Sequence, residues 1–218
     1  MDAALPSGAT SHDFFRRARA RLTLDVPAAL DDPTVEATRG DLDLDPAMWE
    51  QAGVKATRPA AVLVPVVDRN EPTVLLTLRT ELPSHPGQIA FPGGKIEPQD
   101  RTPADAALRE AAEEIGLARA LIEPIGYLDL YLTFSGYRIL PTVARVDPDY
   151  KLVLSEREVA DAFEVPLTFL MDAQNHALHS RDWKGVTRKY YAMPFGERYI
   201  WGVTAGILRN LYERIYGG

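Results

Sequence analysis

The sequence of 218 residues predicts an α+β fold in which helices pack on a β-sheet. Three observations support this prediction. Two apolar runs of strand length, Ala60–Val67 and Thr73–Arg79, stand close together. An amphipathic helix is predicted at Pro103–Ile115. Further strand-like runs follow that helix and precede a second apolar helix near the C-terminus. Strands on both sides of a helix, closed by another helix, are typical of a sheet lying between helices.

Composition limits the kinds of function. The net charge is −7, with 46% hydrophobic and 25% charged residues, which suits a domain with a substantial core. An overall negative charge argues against non-specific binding to nucleic acid, so an anionic substrate needs local cations. The absence of Cys excludes disulfides and thiolate metal ligands. No apolar run reaches membrane-spanning length and no secretory signal is evident, so we expect a cytoplasmic protein without membrane partners, and a homodimer is left open.

The first 56 residues are predicted to form a helix and an extended connection. The segment Ser11–Leu22 has the pattern of a short basic amphipathic helix that packs its apolar side chains on the body of the protein. Contact of its arginines with a membrane or a nucleotide is the alternative. Residues 23–56 contain prolines and acids typical of a connection along the surface. We therefore divide the chain into residues 1–56 and a main domain at 57–218 that includes the C-terminal helix.

The main domain is expected to start with a hairpin. Ala60–Val67 and Thr73–Arg79 are strands joined by a turn at residues 68–72. Prolines and glycines in the next stretch exclude a long helix, and Ile89–Phe91 is predicted to be a brief strand. It leads into the adjacent glycines 93 and 94, where small residues let the backbone approach a metal or a phosphate closely.

The central helix has clear boundaries. Thr102 can serve as N-cap, Pro103 sits at the first helical position, and Gly116 can adopt the left-handed conformation that ends the helix. Helical periodicity predicts a buried face and an acidic face. The buried face contains Ala104, Leu108, Ala111, Ala112 and Ile115, and the acidic face contains Glu110, Glu113 and Glu114.

The three glutamates predict a metal site. Like charges three or four residues apart repel by roughly 0.2–0.5 kcal/mol per pair. A cation among the carboxylates relieves this repulsion, and Mg²⁺ prefers oxygen ligands of this kind. The alternative is an acidic helix face that is simply solvated.

The second half of the chain contains further predicted elements. They are two strands at Ile125–Thr133 and Arg138–Val146, a helix or turn at Ser155–Met171 broken by Pro166, a hairpin of Ala177–Arg181 and Thr187–Met193, and a helix at Ile200–Tyr216.

The stretch GGKIEPQDRTPADAALREAAEEIGL resembles the Nudix box of the Nudix hydrolases, whose pattern is G-x5-E-x7-R-E-U-x-E-E-x-G-U with U apolar. Asp100 stands where the pattern has Glu, and one extra residue precedes Arg109. That insertion is itself a feature of the coenzyme A pyrophosphatase branch. The positions that match the pattern are Gly94, Arg109, Glu110, Ala111, Glu113, Glu114, Gly116 and Leu117.

Flanking segments are also similar to the coenzyme A branch. They are LLTLRTELPSHPGQIAFPGG before the box, EVADAFEVPLTFL after it, and WGVTAGIL near the C-terminus. Pro83 stands where the branch usually has an additional Arg, so part of its substrate recognition is expected to be absent.

The resemblance implies a Nudix fold, a mixed β-sheet between helices, and a pyrophosphohydrolase that depends on Mg²⁺ or Mn²⁺. Its implied substrate is coenzyme A or an acyl derivative, cleaved to 3′,5′-ADP and a 4′-phosphopantetheine compound. Alternatives are another nucleoside diphosphate derivative, such as ADP-ribose, a dinucleotide or a nucleoside triphosphate, or a non-catalytic module that senses a nucleotide. The complete set of acidic residues argues against the last alternative.

The resemblance also implies roles for particular residues. Glu110 and Glu114 are the main metal ligands, Glu113 is a third ligand or a base, and the carbonyl of Gly93 also binds metal. Arg109 is expected to hold the loop through Asp100 or Glu97 and so to orient Glu110.

Other candidates complete the predicted site. Glu158 is the best candidate for a late catalytic Glu, with Glu156 and Glu164 as alternatives. The aromatic residues Trp183, Tyr190 and Tyr191 either stack an adenine or pack in the core. The candidate phosphate contacts are Arg79, His85, Lys95 and Arg138.

Overall fold

The computed structural model describes residues 10–35, 37, 39–41, 43–46, 49–50, 53–80, 87–183 and 186–217. The α-helices whose bounds lie within these ranges are α1 (Ser11–Arg21), α2 (Pro103–Ile115), α3 (Leu167–Leu170) and α4 (Val203–Tyr216). The strands are β1 (Arg39–Gly40), β2 (Arg58–Val67), β3 (Thr73–Arg79), β4 (Ile89–Ala90), β5 (Gly93–Lys95), β6 (Ile122–Tyr127), β7 (Tyr131–Leu132), β8 (Tyr137–Val146), β9 (Val159–Pro166), β10 (Ala177–Trp183), β11 (Val186–Phe195) and β12 (Arg198–Trp201).

The main sheet is mixed, as expected. Strands β2 and β8 run parallel over ten residue pairs, from Arg58 opposite Tyr137 to Val67 opposite Val146. The order along the sheet is β1-β7-β8-β2-β3-β4, and β5, β6 and β9 pair with β2, β8 and β3, respectively. Apart from β1 with β7 and β2 with β8, the strand pairs of the described chain are antiparallel. Because helices cover this sheet, the predicted α+β class is confirmed.

Helix α2 lies on one face of the sheet, and both of its predicted ends are confirmed. The hydroxyl of Thr102 accepts a hydrogen bond from the amide of Asp105 at 3.1 Å, and Gly116 closes the helix at φ 67°. The predicted buried face is wrong at Ala112, which is exposed. The buried side chains of α2 that pack in the core beside β2 are Ala106, Ala107, Leu108, Ala111 and Ile115.

Helices α1 and α4 belong to the core on the other side of the sheet. Phe14 and Ala18 of α1 are completely buried in the same apolar cluster as Leu208 and Leu211 of α4. The predicted packing role of the N-terminal helix is therefore confirmed. No helix in the described part of the chain combines the length and apolar character needed to cross a membrane.

Within the stretch predicted as helix or turn from Ser155 to Met171, the residues Val159–Pro166 form strand β9 instead. This strand pairs antiparallel with β3, with Phe163 opposite Leu76. Its sequence contains both apolar and acidic residues, and the pairing partner decides its conformation. The helical part is confined to Leu167–Leu170, directly after Pro166.

Two other predicted boundaries are corrected. The run Ile125–Thr133 forms two strands, β6 and β7, rather than one. The C-terminal helix begins at Val203, because the preceding residues form β12 and Gly202 turns the chain at φ 63° and ψ −133°. The predicted hairpin is confirmed as β10 and β11, and β12 extends it to a second sheet of three strands.

Candidate active site

A cavity of about 420 Å³ lies between β5, helix α2 and the first turns of α4. Its lining has a charged part and a less polar part. The charged part contains Arg79, Lys95, Glu110, Glu114 and Glu158, and the less polar part includes Ile89, Phe91, Ile139, Trp201, Val203 and Ile207. The structure thus brings together three of the predicted acidic residues and two of the predicted cations.

The two adjacent glycines shape the charged part of the cavity. They form β5, which pairs antiparallel with β2. A Cβ atom on Gly94 would lie 2.5 Å from Oε1 of Glu110, and a Cβ atom on Gly93 would lie 2.5 Å from the carbonyl oxygen of Ala61. Glycine at position 93 is therefore required for β5 to approach the backbone of β2, and a side chain at position 94 would displace the carboxylate of Glu110.

Glu114 is the buried carboxylate of this group. It is 3% exposed, and its Oε2 accepts a hydrogen bond from the amide of Gly93 at 3.3 Å. Burial, together with the charges of Glu110 and Glu158, raises the pKa of Glu114 to about 7, although Arg79 acts in the opposite direction. In the protein alone, burial and the two neighbouring carboxylates therefore disfavour the charged form of Glu114.

The predicted acidic face of α2 is divided between cavity and solvent. The side chain of Glu113 is 57% exposed, whereas that of Glu110 is 16% exposed and Glu114 is buried. Burial raises the pKa of Glu110, with smaller contributions from Glu113 and Glu158, while Arg109 lowers it. Glu110 and Glu114 thus face the cavity together, and Glu113 lies at its outer side.

Arg109 links the loop before α2 to the acidic residues on the helix. Its Nε and Nη2 atoms each donate to Asp100 at 3.0 Å, and Nη2 also donates to the carbonyl of Lys95 at 3.1 Å. Its Nη1 atom donates to Glu110 at 3.0 Å and to Glu113 at 3.1 Å. Such a bidentate pair fixes the orientation of both partners. Of the two acids proposed as its partner, Asp100 rather than Glu97 makes this contact.

The three candidates for a late catalytic Glu have different environments. Glu158 precedes β9 and lines the cavity. Glu156 is exposed and does not line it. Glu164 accepts hydrogen bonds from Arg69, Thr73 and Tyr150. Although burial opposes ionisation, the hydrogen bonds from these three residues lower the pKa of Glu164 to about 2.

Only some of the candidate phosphate contacts lie at the cavity. Arg79 and Lys95 line the cavity, whereas His85, like Pro83, lies outside the described residues. Arg138 is 3% exposed, and its guanidinium donates to the backbone carbonyls of the N-terminal segment. Because successive side chains of β8 point to opposite faces, its neighbours Tyr137 and Ile139 line the cavity and Arg138 does not. We therefore remove Arg138 from the proposed substrate contacts.

Several lining residues were not expected from the sequence. Thr133 and Ser135, between β7 and β8, form one wall, and Trp201 forms part of another. Of the aromatic candidates, Tyr190 has its ring centroid 5.4 Å from that of Trp201, and Tyr191 packs on the core. Trp183 is a candidate whose side chain lies outside the described part. The alternation of β8 was the available signal for Tyr137 and Ile139.

The donor set suits a hard divalent cation. In the described chain, no group of three His, Asp or Glu side chains is close enough to enclose an ion by itself. Mg²⁺ characteristically keeps several waters and takes only one or two carboxylates plus phosphate oxygens from its substrate. Glu110, which is partly buried, and Glu114, which is buried, lie beside the backbone of Gly93. These two carboxylates meet that requirement.

Comparison with known proteins agrees with this geometry. A family model described as the NUDIX domain matches residues 57–184. A protein of Yersinia pestis (strain Pestoides F), named "Uncharacterized Nudix hydrolase NudL", is 38% identical over 161 residues, which are 72% of this chain and 80% of the relative. The protein of the same name from Yersinia pseudotuberculosis serotype O:1b (strain IP 31758) has the same identity and coverage.

Solved structures of Nudix proteins are similar over a smaller part. A Nudix hydrolase from Alicyclobacillus acidocaldarius has a TM-score of 0.44 and 21% identity, covering 54% of this chain and 82% of that one. The Ap4A hydrolase of C. elegans, in a binary complex, has a TM-score of 0.43 and 20% identity, covering 50% and 80%. The family model spans more than half of the chain, and the NudL proteins share more than a third of the aligned residues. This chain therefore belongs to the Nudix family and is a hydrolase that acts on a phosphoanhydride.

Proposed function

We propose that this Nudix hydrolase cleaves the diphosphate of coenzyme A or acyl-coenzyme A, releasing 3′,5′-ADP and a 4′-phosphopantetheine compound. One observation carries the proposal: a single cavity combines buried carboxylates and two cations with a less polar wall. A diphosphate suits the charged part, and an apolar thiol-bearing or acyl arm suits the wall of Ile89, Phe91 and Ile207. The LLTLR, HPGQIAFPGG and WGVTAGIL segments provide the independent support from the sequence.

Glu110 and Glu114, with the carbonyl of Gly93, would hold Mg²⁺ or Mn²⁺, and Glu113, at the outer side of the cavity, is the candidate for a third ligand or a base. When bound, such an ion supplies charge neutralisation at the diphosphate and a more acidic water molecule. We expect weak affinity for Mg²⁺ alone and higher affinity when a non-hydrolysable diphosphate is present, because Mg²⁺ gives up its waters reluctantly.

The protein side chains account for binding and positioning. Arg79 and Lys95 neutralise diphosphate oxygens at the cavity wall. Arg109 keeps Glu110 in place through its hydrogen bonds with Asp100 and Glu110 itself. Glu158 lines the cavity and is the candidate to accept a proton from the attacking water.

A substrate panel tests the proposal. Coenzyme A, acetyl-coenzyme A, ADP-ribose, a diadenosine polyphosphate and a nucleoside triphosphate are incubated with Mg²⁺ or Mn²⁺, and products are resolved by chromatography. We expect the highest kcat/KM with coenzyme A or its acyl derivative, and a KM above that of enzymes carrying the additional Arg at the position of Pro83.

The same panel decides between the alternatives. A higher kcat/KM for ADP-ribose, a dinucleotide or a nucleoside triphosphate would reject the coenzyme A assignment while keeping the Nudix class. Binding of a nucleotide without hydrolysis in the presence of either Mg²⁺ or Mn²⁺ would instead support a module that senses a nucleotide.

A further inference from the structure

The small second sheet presents an aromatic and basic face beside the cavity. We name this the hairpin face and define it by His179, Arg181, Arg188, Tyr190 and Trp201. His179 lies directly opposite Tyr190, and Arg181 directly opposite Arg188, in the pairing of β10 with β11. The ring centroid of Tyr190 is 6.0 Å from that of His179 and 5.4 Å from that of Trp201. These side chains therefore form one continuous surface.

The hairpin face borders the cavity at two points. Trp201 belongs to both the face and the cavity lining. At the second point, the guanidinium of Arg188 lies 4.3 Å from the ring centroid of Phe134. Phe134 stands between Thr133 and Ser135, which both line the cavity. A substrate whose diphosphate occupies the charged part of the cavity can thus extend one end over the hairpin face.

The arginines of this face lack a hydrogen-bonded counterion. Like charges directly opposite in an antiparallel pair are destabilising. In the ranges that the structure describes, neither Arg181 nor Arg188 forms an ion pair within 4.0 Å, and Nε of Arg188 is buried without a hydrogen-bond partner. Asp41 interacts electrostatically with Arg188, but its oxygens accept hydrogen bonds from the hydroxyl of Tyr131 and the amide of Phe134.

We propose that the hairpin face binds the nucleoside end of the substrate. The purine base stacks on Tyr190 and Trp201, and a phosphate monoester on the ribose is held by Arg181 and Arg188. Aromatic side chains bind any base through its π-face, and the guanidinium matches phosphate oxygens bidentately. The inference rests on the proposed function, since coenzyme A carries a 3′-phosphate that ADP-ribose lacks. It adds the site at which the 3′-phosphate is bound, and therefore the contact by which the enzyme distinguishes coenzyme A from ADP-ribose.

Kinetics with a matched pair of substrates tests the role of the arginines. The kcat/KM values for coenzyme A and 3′-dephospho-coenzyme A are measured for the wild type and for Arg181→Gln, Arg188→Gln and Tyr190→Ala. Each Arg variant should raise KM for coenzyme A about tenfold or more, as expected for a lost charge-assisted hydrogen bond, and leave dephospho-coenzyme A unchanged. Tyr190→Ala should raise KM for both. Lys189→Gln, exposed on the opposite face of β11, is the control and should change neither.

Equal losses for both substrates in the Arg variants, or no loss, would overturn the inference. Arg188 is partly buried, so thermal unfolding of each variant is recorded. Arg181 is exposed, so the KM values of Arg181→Gln for the two substrates decide the question if Arg188→Gln does not fold.

Calorimetric titration separates this inference from the proposed function. Adenosine 3′,5′-bisphosphate should bind the wild type at least tenfold more tightly than adenosine 5′-monophosphate, and Arg181→Gln should remove the difference. If this holds but coenzyme A is not hydrolysed, the proposed reaction fails and the nucleoside site stands. If coenzyme A is hydrolysed but the two nucleotides bind equally, the nucleoside site fails and the reaction stands.

Discussion

At the scale of single residues, Glu114 has the most distinctive environment in the cavity, since it is 3% exposed with another carboxylate nearby. We predict that Glu114→Gln keeps the fold but lowers kcat more than tenfold, a rise in the barrier of at least about 1.4 kcal/mol. The amide keeps the shape of the side chain and removes the charge that a divalent cation needs. Turnover with Mg²⁺ is measured together with circular dichroism and thermal unfolding.

Glu123→Gln is the control for this experiment, because its side chain is 52% exposed on β6, away from the cavity. A Glu114→Gln variant that keeps more than about a tenth of the wild-type kcat would remove Glu114 from the proposed metal site.

Two glutamates next to β9 allow a second, closely matched comparison. Both are exposed, but only Glu158 lines the cavity, and Glu156, two residues earlier, does not. We predict that Glu158→Gln lowers kcat about a hundredfold or more, the lower end of the range for a lost general base, and that Glu156→Gln has no effect. The dependence of kcat on pH, measured for both variants, checks the role in proton transfer. Equal activity of the two variants would reject Glu158 as the late catalytic residue.

Single residues also show how far the sequence predicts the site. Glu110 and Glu114 were identified from their spacing and the motif around them, and the structure brings them to one cavity. Arg138 is a candidate on its charge alone. Side chains alternate along β8, so Arg138 points to the face opposite that of Tyr137 and Ile139. This alternation excludes Arg138 from the cavity that those two residues line.

At the scale of elements, the ends of helix α2 were predictable because their signals are local. Thr102 provides a side-chain cap and Gly116 a left-handed residue. By contrast, the stretch that contains β9 is predicted as helix or turn, and its strand conformation depends on pairing with β3, which lies about 80 residues earlier in the sequence. The last two residues of β12, Ile200 and Trp201, are predicted as helix because their apolar spacing continues that of the following helix, whereas they extend the adjacent β11 hairpin. Local capping and periodicity therefore predict an element well only where no distant partner competes.

The end of helix α2 gives a stability prediction. Gly116 and Gly196 have similar positive φ angles, 67° and 56°. A Cβ atom on Gly116 would lie 2.9 Å from the backbone nitrogen of Val153, whereas a Cβ atom on Gly196 would meet nothing within 4 Å. We predict that Gly196→Ala costs about 1 kcal/mol of unfolding free energy through backbone strain and that Gly116→Ala costs more. Urea unfolding measures both, and an equal cost would show that the contact with Val153 relaxes freely.

The contacts of β9 predict how stability responds to acid. The pKa of Glu164 is about 2 in the folded protein, below its ordinary value, so the unfolded chain binds more protons between these two values. Stability contributed by Glu164 is therefore present above about pH 4.5 and is lost as pH falls toward 2, by at most about 1.4 kcal/mol per pH unit. The real loss is smaller, because the side chain of its partner Arg69 is 42% exposed and solvent screens the pair.

Urea unfolding of the wild type and Glu164→Gln from pH 2.5 to 6 checks this dependence. The variant should lose stability less steeply with acid than the wild type, and Glu156→Gln should follow the wild type. Parallel pH curves for wild type and Glu164→Gln would contradict the prediction.

At the scale of the whole molecule, Arg138 connects the N-terminal segment to the main sheet through hydrogen bonds. Its guanidinium donates to the carbonyls of Ala29 at 2.6 Å, Ala56 at 3.2 Å, and Asp32 and Val35 at 3.4 Å. We predict that Arg138→Gln lowers the unfolding free energy by about 3 kcal/mol, since two buried and two partly buried acceptors lose a charged donor, while KM stays unchanged. Arg119→Gln, whose side chain is 62% exposed, should cost less than about 1 kcal/mol. A raised KM with unchanged stability would return Arg138 to the substrate contacts.

The parallel pairing of β2 with β8 has a consequence for how the protein forms. About 80 residues separate each residue of β2 from its partner in β8. Closing so long a loop costs chain entropy before any contact compensates for it, so this pairing is expected to form late and slowly. Helix α2 lies inside that loop. On a ribosome, the chain must emerge as far as Val146 before the pairing of β2 with β8 beneath the helix is complete. The acidic helix then reaches its place by the same step that completes the sheet.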